Sequence, residues 1–152
     1  MTEKPWENEP DYYFWTDEST GLRCAIIRVL NVHGALCGYV RLPHGHKYTK
    51  RRSYALGKLY GRFNRHRGNG VHNIIVHGGV TFHGNLNRPN GGKMRGKWIG
   101  FDCAHYMDYC PGFEKYAVVQ IRSLHEANGT YRTFEYVKTE VESMAKQIAR
   151  GV

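Results

Sequence analysis

The sequence predicts an α+β domain in which a mostly antiparallel sheet packs against one basic helix from the middle of the chain and one amphipathic helix from its C-terminal end. Three observations predict this class. Short β-rich segments lie on both sides of a helical pattern, turn residues separate neighbouring segments, and the last segment repeats its apolar residues at helical spacing. An order of strands, helix, strands and helix is typical of α+β folds.

Residues 1–20 are expected to form an acidic, aromatic arm in front of a single domain of residues 21–152. Six of the chain's 13 acidic residues lie in this arm, and we expect its aromatic cluster at residues 12–15 to dock on the domain. A chain of 152 residues with 41% hydrophobic residues is long enough to bury a core of its own. One compact domain therefore fits better than two small ones.

Two β-rich segments at the start of the domain predict a hairpin. Residues 25–30 (AIIRVL) and 36–42 (LCGYVRL) are rich in residues that favour strands, and residues 31–34 between them offer turn chemistry. Three later segments are also predicted strands: residues 73–82 (NIIVHGGVTF), 97–102 (KWIGFD) and 116–122 (YAVVQIR). A basic loop joins the first two of these.

Helical spacing of apolar residues predicts two helices. In the basic helix, Lys58, Arg62 and Arg65 fall on a different face from the apolar positions. Those apolar positions are Leu56, Leu59, Tyr60 and Phe63. The C-terminal helix begins near Tyr131 and ends near Gly151. Its apolar stripe consists of Phe134, Val137, Val141, Met144, Ala145 and Ile148.

The positive charge of the chain is concentrated in its middle. The formal net charge is +9, and residues 19–101 contain 15 of the 22 Lys and Arg residues and no acidic residue. An uncompensated cationic surface is typical of proteins that contact phosphates or acidic surfaces. The predicted contact residues are Lys50, Arg51, Arg52, Lys58, Arg62, Arg65 and Arg67. Tyrosines alternate with these Lys and Arg residues, and they either stack on nucleic-acid bases or pack the basic helix onto the sheet.

A second pattern, in residues 100–110 (GFDCAHYMDYC), indicates a metal site. Asp102, His105 and Asp108 are spaced three residues apart, and in a helix they would lie within about a third of the circumference. Cys103 and Cys110 enlarge the ligand set, and His77 or His83 from the HGGVTFH segment would complete it, with His77 and Cys103 as the predicted ligands. Mixed nitrogen, oxygen and sulfur donors favour zinc over magnesium. The alternative is structural: a hydrogen-bonded core histidine, a turn-capping aspartate and a buried thiol.

Two glycines in a predicted strand, Gly78 and Gly79, indicate a bulge or a close approach of the backbone to another group.

The motifs of several functional classes do not occur in the sequence. The sequence has no P-loop, dinucleotide fingerprint, H-E-x-x-H pattern, zinc-finger spacing or C-x-x-C pair. It also has no apolar run long enough for a membrane span and no signal-peptide pattern at its start. We therefore expect a cytoplasmic chain with reduced cysteines, acting away from membranes.

Four motifs resemble those of a group of small phage and prophage proteins to which no activity is assigned. They are G-Y-V at residues 38–40, H-G-G-[LV]-T-[FY] at 77–82, G-F-D-x-x-H-x-x-D at 100–108, and a closing Y-R…Y-V…E helix at residues 131–140. The resemblance implies a phage context and no catalytic residues. Members of this group carry acidic residues just before H-G-G, where this chain has residues 70–73 (GVHN), a departure that favours partner binding over an inherited ion site.

These features together predict a phage accessory protein that acts by binding rather than by catalysis. Its basic surface is expected to bind nucleic acid, a host nucleoprotein defence complex or an acidic protein surface, as an anti-CRISPR-like inhibitor would, with zinc as a structural ion. Two alternatives remain: a small metal-dependent hydrolase of a phosphorylated ligand, with Asp102, His105 and Asp108 holding the ion, and a nucleotide-sequestering protein. The sequence leaves the oligomeric state and the host open.

Overall fold

The computed structural model describes residues 3–49, 74–115 and 129–151, and the structural statements below refer to these residues. The predicted basic helix, the predicted strand at residues 116–122 and all seven predicted cationic contact residues lie outside them. The described strands and long helix are β1 (Tyr12–Thr16), β2 (Arg23–Arg28), β3 (Leu36–Arg41), β4 (Phe82–Gly84), β5 (Trp98–Asp102) and α1 (Phe134–Ala149). Short 3₁₀ helices span Pro5–Glu7 and Pro111–Lys115.

The five strands form one sheet in the order β1-β2-β3-β5-β4, and each neighbouring pair is antiparallel. The predicted β2–β3 hairpin is confirmed, with Ile26 opposite Gly38. Residues 12–16, from the predicted arm, form the edge strand β1, in which Phe14 pairs with Ala25. The α+β prediction with an antiparallel sheet is therefore confirmed for the described part of the chain.

One face of the sheet packs against α1. Alternate residues of β2, β3 and β5 point to this face because successive side chains of a strand lie on opposite sides. The resulting core contains Ile26, Leu36, Val40, Ile99 and Phe101 from the strands and Val137, Val141, Met144 and Ile148 from α1. At its start, α1 is capped by Thr133, whose side chain accepts a hydrogen bond from the Tyr136 backbone N–H.

The other face of the sheet carries a smaller apolar cluster: Ala25, Cys37, Tyr39, Leu86 and Trp98. Leu86 and the adjacent Met94 belong to the loop between β4 and β5, so this loop lies over part of the face. No helix in the described residues is both long and apolar enough to span a membrane.

The strand predicted at residues 73–82 is wrong over most of its described length. Strand β4 begins only at Phe82, and residues 74–81 are irregular. Gly78 and Gly79 have φ angles of +65° and +84°, which are incompatible with an extended strand. The glycine pair that stood out in the sequence therefore lies in a turn ahead of β4 and not within a strand.

Candidate functional site

Asp108 is the centre of a buried polar cluster. It is 1% exposed and follows the turn after β5. Its Oδ2 accepts hydrogen bonds from His77 Nε2 at 2.7 Å and from the His105 backbone N–H at 3.0 Å, and its Oδ1 accepts one from Arg132 Nε at 2.8 Å. Burial alone would raise the pKa of Asp108, but the side chains of His105, His77 and Arg132 and the His105 backbone N–H lower it well below its usual range. The carboxylate is therefore anionic at neutral pH.

His77 is fixed between this carboxylate and α1. Its Nε2–H donates to the Asp108 carboxylate, and its Nδ1 atom lies within hydrogen-bond distance of the Tyr136 hydroxyl, at 2.9 Å. The backbone N–H of His77 donates to Glu140 Oε2 at 2.8 Å. Tyr136 and Glu140 are one helical turn apart, so a single face of α1 sets both the ring and the backbone of His77.

His105 lies beside this pair and is more accessible, with 29% of its side chain exposed. Its Nδ1 is 3.4 Å from Asp108 Oδ2 and 3.8 Å from Asp102 Oδ1, within ion-pair distance of both carboxylates. In the described residues, neither ring nitrogen has a hydrogen-bond partner. The Asp108 carboxylate raises the pKa of His105, burial opposes this, and the Asp102 charge adds to the rise.

Gly78 accommodates the His105 ring. A Cβ at position 78 would lie 2.1 Å from His105 Cε1 and 2.3 Å from Nε2. The Gly79 N–H donates to Val76 O within the same turn. The glycine pair thus allows His105 to pack against the backbone.

A turn, and not a helix, gathers Asp102, His105 and Asp108. Asp102 ends β5, where its Oδ1 accepts the Ala104 N–H at 3.0 Å and its Oδ2 accepts the Thr81 hydroxyl at 2.8 Å. The Asp108 N–H donates to His105 O, which closes the turn. The turn brings His105 Nδ1 within 3.4 Å of Asp108 Oδ2 and 3.8 Å of Asp102 Oδ1, without the helix that the spacing argument assumed.

Three of the five predicted metal ligands form a compact donor group. His77, His105 and Asp108 each place one ligand atom within 4.8 Å of the others. Asp102 and Cys103 lie outside this group. The Asp102 carboxylate already accepts two hydrogen bonds, and Cys103 is 1% exposed, so that burial raises the pKa of its thiol and disfavours the thiolate.

Some features of this donor group favour a divalent ion and others oppose it. The two ring nitrogens of His105 have no hydrogen-bond partner among the described residues, and a metal ion or a water molecule would supply one. An ion would also have to displace the proton that His77 Nε2 donates, and it would lie near the guanidinium of Arg132. As it stands, the cluster is a hydrogen-bonded connection between the segment at residues 74–81, the turn after β5 and α1.

Sequence reasoning missed Arg132 and Tyr136 as site residues. Both belong to the closing Y-R…Y-V…E motif, which carries the phage resemblance and predicts no site residue. In the sequence, each is a polar residue next to the apolar stripe of the predicted helix. Such a position is equally consistent with a buried polar contact and with a side chain in solvent.

The described cations of the acid-free segment divide into two groups. Arg28 is buried and pairs with Glu9 at 3.3 Å and Asp11 at 2.9 Å, so acidic residues of the N-terminal segment neutralise it. The other seven make no ion pair within the described ranges. One of them, Lys47, donates a hydrogen bond to the Gly151 carbonyl at 2.8 Å. The remaining six are Arg23, Arg41, Arg88, Lys93, Arg95 and Lys97, and four of these are well exposed: Arg23, Arg88, Lys93 and Arg95.

No protein-family model, curated protein or solved structure matches this chain.

Proposed function

We propose that this chain binds nucleic acid through a cationic surface and acts by occupying its target rather than by catalysis. The observation that carries the proposal is a group of six cations, on strands β2 and β3 and on the loop between β4 and β5, that make no ion pair with any residue that the structure describes. A cation with no intramolecular partner is able to contact a phosphate without breaking an existing ion pair.

The placement of these cations supports the proposal. Arg23 shares a sheet face with Ala25, and Arg41 lies on the same face as Tyr39, opposite the face that α1 covers. The Arg41 guanidinium packs on Gly96, where a Cβ would come within 2.5 Å of Nε. The loop thus brings its own cations to the face that already carries two arginines. The acidic residues of α1, Glu135, Glu140 and Glu142, lie on the other side of the sheet.

The phage resemblance supports a target inside an infected bacterium. We propose a host nucleoprotein defence complex, inhibited in an anti-CRISPR-like manner by occupancy of its nucleic-acid channel. This role requires no catalytic group, and the cluster around Asp108 then stabilises the fold.

Salt-dependent binding tests the proposal. Fluorescence anisotropy of labelled single-stranded and duplex oligonucleotides should show an association constant that falls linearly with salt on logarithmic axes. The triple variant Arg88→Ala, Lys93→Ala, Arg95→Ala should weaken binding and flatten the slope by about 2 to 3. Lys138→Ala on α1, whose partner is Glu142, is the matched control and should change neither. Binding that is absent, or equally weakened by the control, contradicts the proposal.

A second candidate function is metal-dependent hydrolysis of a phosphorylated ligand. It rests on the close approach of His77, His105 and Asp108, which together could hold an ion that activates water. Phosphoester hydrolysis that requires added metal and disappears in His105→Ala would favour this function. Nucleic-acid binding that survives His105→Ala would favour the first.

A further inference from the structure

A cleft of about 630 Å³ opens on the sheet face opposite α1, between the edge strand β1 and the loop that joins β4 to β5. Its size falls within the range of small-molecule sites. The lining residues that matter here are Tyr12, Phe14, Arg23, Arg88, Met94 and Trp98. None of them belongs to the cluster around Asp108.

Two aromatic rings that line this cleft are exposed. Tyr12 is 58% exposed and Phe14 is 37% exposed, and their ring centroids are 6.1 Å apart. Trp98 is 1% exposed and forms a buried part of the lining. Large apolar side chains on an edge strand expose the sheet to unwanted association, so their presence indicates a surface that a ligand covers.

The charge of the cleft restricts the ligand. Arg23 and Arg88 line it, and no carboxylate occurs among its lining residues. A guanidinium binds phosphate through two parallel hydrogen bonds, and an aromatic face stacks on a flat base. A ligand with one planar ring system and one negative charge complements this combination.

We infer that the cleft binds one unpaired nucleotide, with its base against Tyr12 and Phe14 and its phosphate at Arg23 and Arg88. This inference rests on the proposed function and specifies it: the preferred nucleic acid is single-stranded, because the bases of a duplex are stacked on each other and are not free to enter the cleft.

The test compares the full chain with two variants and a control, using a labelled poly-dT oligonucleotide of about 12 nucleotides and the matching duplex. Phe14→Leu removes the stacking ring and keeps an apolar side chain. It should weaken single-strand binding about 10-fold and leave the salt slope unchanged. Arg88→Ala should weaken binding and reduce the slope by about 0.7. Tyr106→Leu is the matched control, because Tyr106 is an exposed aromatic residue, at 76%, that does not line the cleft.

The outcomes separate this inference from the proposed function. Salt-dependent binding that is equal for single strand and duplex, and unchanged in Phe14→Leu, would overturn the inference while the proposed function stands. If no oligonucleotide binds, the proposed function fails, and titration with free AMP, followed by tryptophan fluorescence, decides whether the cleft takes a mononucleotide. Saturable quenching that Phe14→Leu weakens supports a nucleotide site, and its absence overturns the inference.

Discussion

The imidazole of His105 lies so close to Gly78 that a Cβ at position 78 would approach its ring atoms to between 2.1 and 2.5 Å. This contact explains why the H-G-G motif and the G-F-D-x-x-H motif occur together in the chain: the first glycine of one makes space for the histidine of the other. Residues 27 positions apart in sequence thus depend on each other for packing.

Gly78→Ala should therefore destabilise the protein by more than backbone strain alone. Gly21 is the matched control, because its φ of +71° is close to the +65° of Gly78 and no atom lies within 4 Å of its Cβ position. We expect Gly21→Ala to cost about 1 to 2 kcal/mol, and Gly78→Ala about 2 kcal/mol more. Urea denaturation measures both. In a His105→Ala background the extra cost should disappear, and its persistence would show that the ring is not what Gly78 accommodates.

Asp108→Asn should be strongly destabilising. The substitution removes the charge that pairs with Arg132 at 2.8 Å and accepts the proton of His77, in a side chain that is 2% exposed. Breaking a buried pair from one side costs about 3 kcal/mol or more. Glu142→Gln is the control, since its ion pair with Lys138 spans 3.8 Å at the surface and should contribute less than about 0.5 kcal/mol. Similar losses in both variants would contradict the central role of Asp108.

The stability of the protein should decline above neutral pH through His105. Its pKa is raised in the folded state by the Asp108 carboxylate, against burial, with Asp102 adding to the rise and the His77 ring as its other neighbour. The stability it contributes is therefore complete below about pH 6.5 and is lost as the pH rises through the folded pKa. Urea unfolding in the presence of a chelator, from about pH 5 to about pH 9, measures the decline. His105→Gln should flatten it.

Asp108 should make the stability of the protein decrease as the pH is lowered. Because its folded pKa is lowered, its contribution is present above about pH 3.9 and is lost as the pH falls below that value. Acid unfolding that begins at higher pH in Arg132→Gln than in the unsubstituted chain would agree with this expectation. An unchanged midpoint would show that Arg132 does not lower the pKa of Asp108.

Zinc binding at His77, His105 and Asp108 should be pH-dependent. An ion has to displace the Nε2 proton of His77, so we expect one equivalent to bind more tightly at about pH 8 than at about pH 6. Calorimetric titration of untagged protein with zinc measures this affinity, and His105→Ala should abolish binding. If no zinc binds at either pH, the three residues serve as a hydrogen-bonded connection only.

The elements that the sequence predicted well are those with a local signal. The C-terminal helix, predicted from about Tyr131 to Gly151, spans Phe134–Ala149, because its apolar period and its Thr133 cap lie within one segment. The sequence signal for the β2–β3 hairpin was equally local. The prediction of a strand through Gly78 was wrong because the β-branched composition was given more weight than the glycine pair, whose positive φ angles belong to a turn that packs against His105.

By itself, the sequence determined the fold class, the hairpin, the closing helix and the concentration of positive charge between residues 19 and 101. It also selected His77, His105 and Asp108 as candidates. Only the tertiary structure decided that Arg132 and Tyr136 complete their cluster and that Tyr12 and Phe14 line a cleft with Arg88. The reason is physical: periodicity and propensity act over a few residues, whereas hydrogen bonds and cleft walls join atoms from segments that only folding brings together.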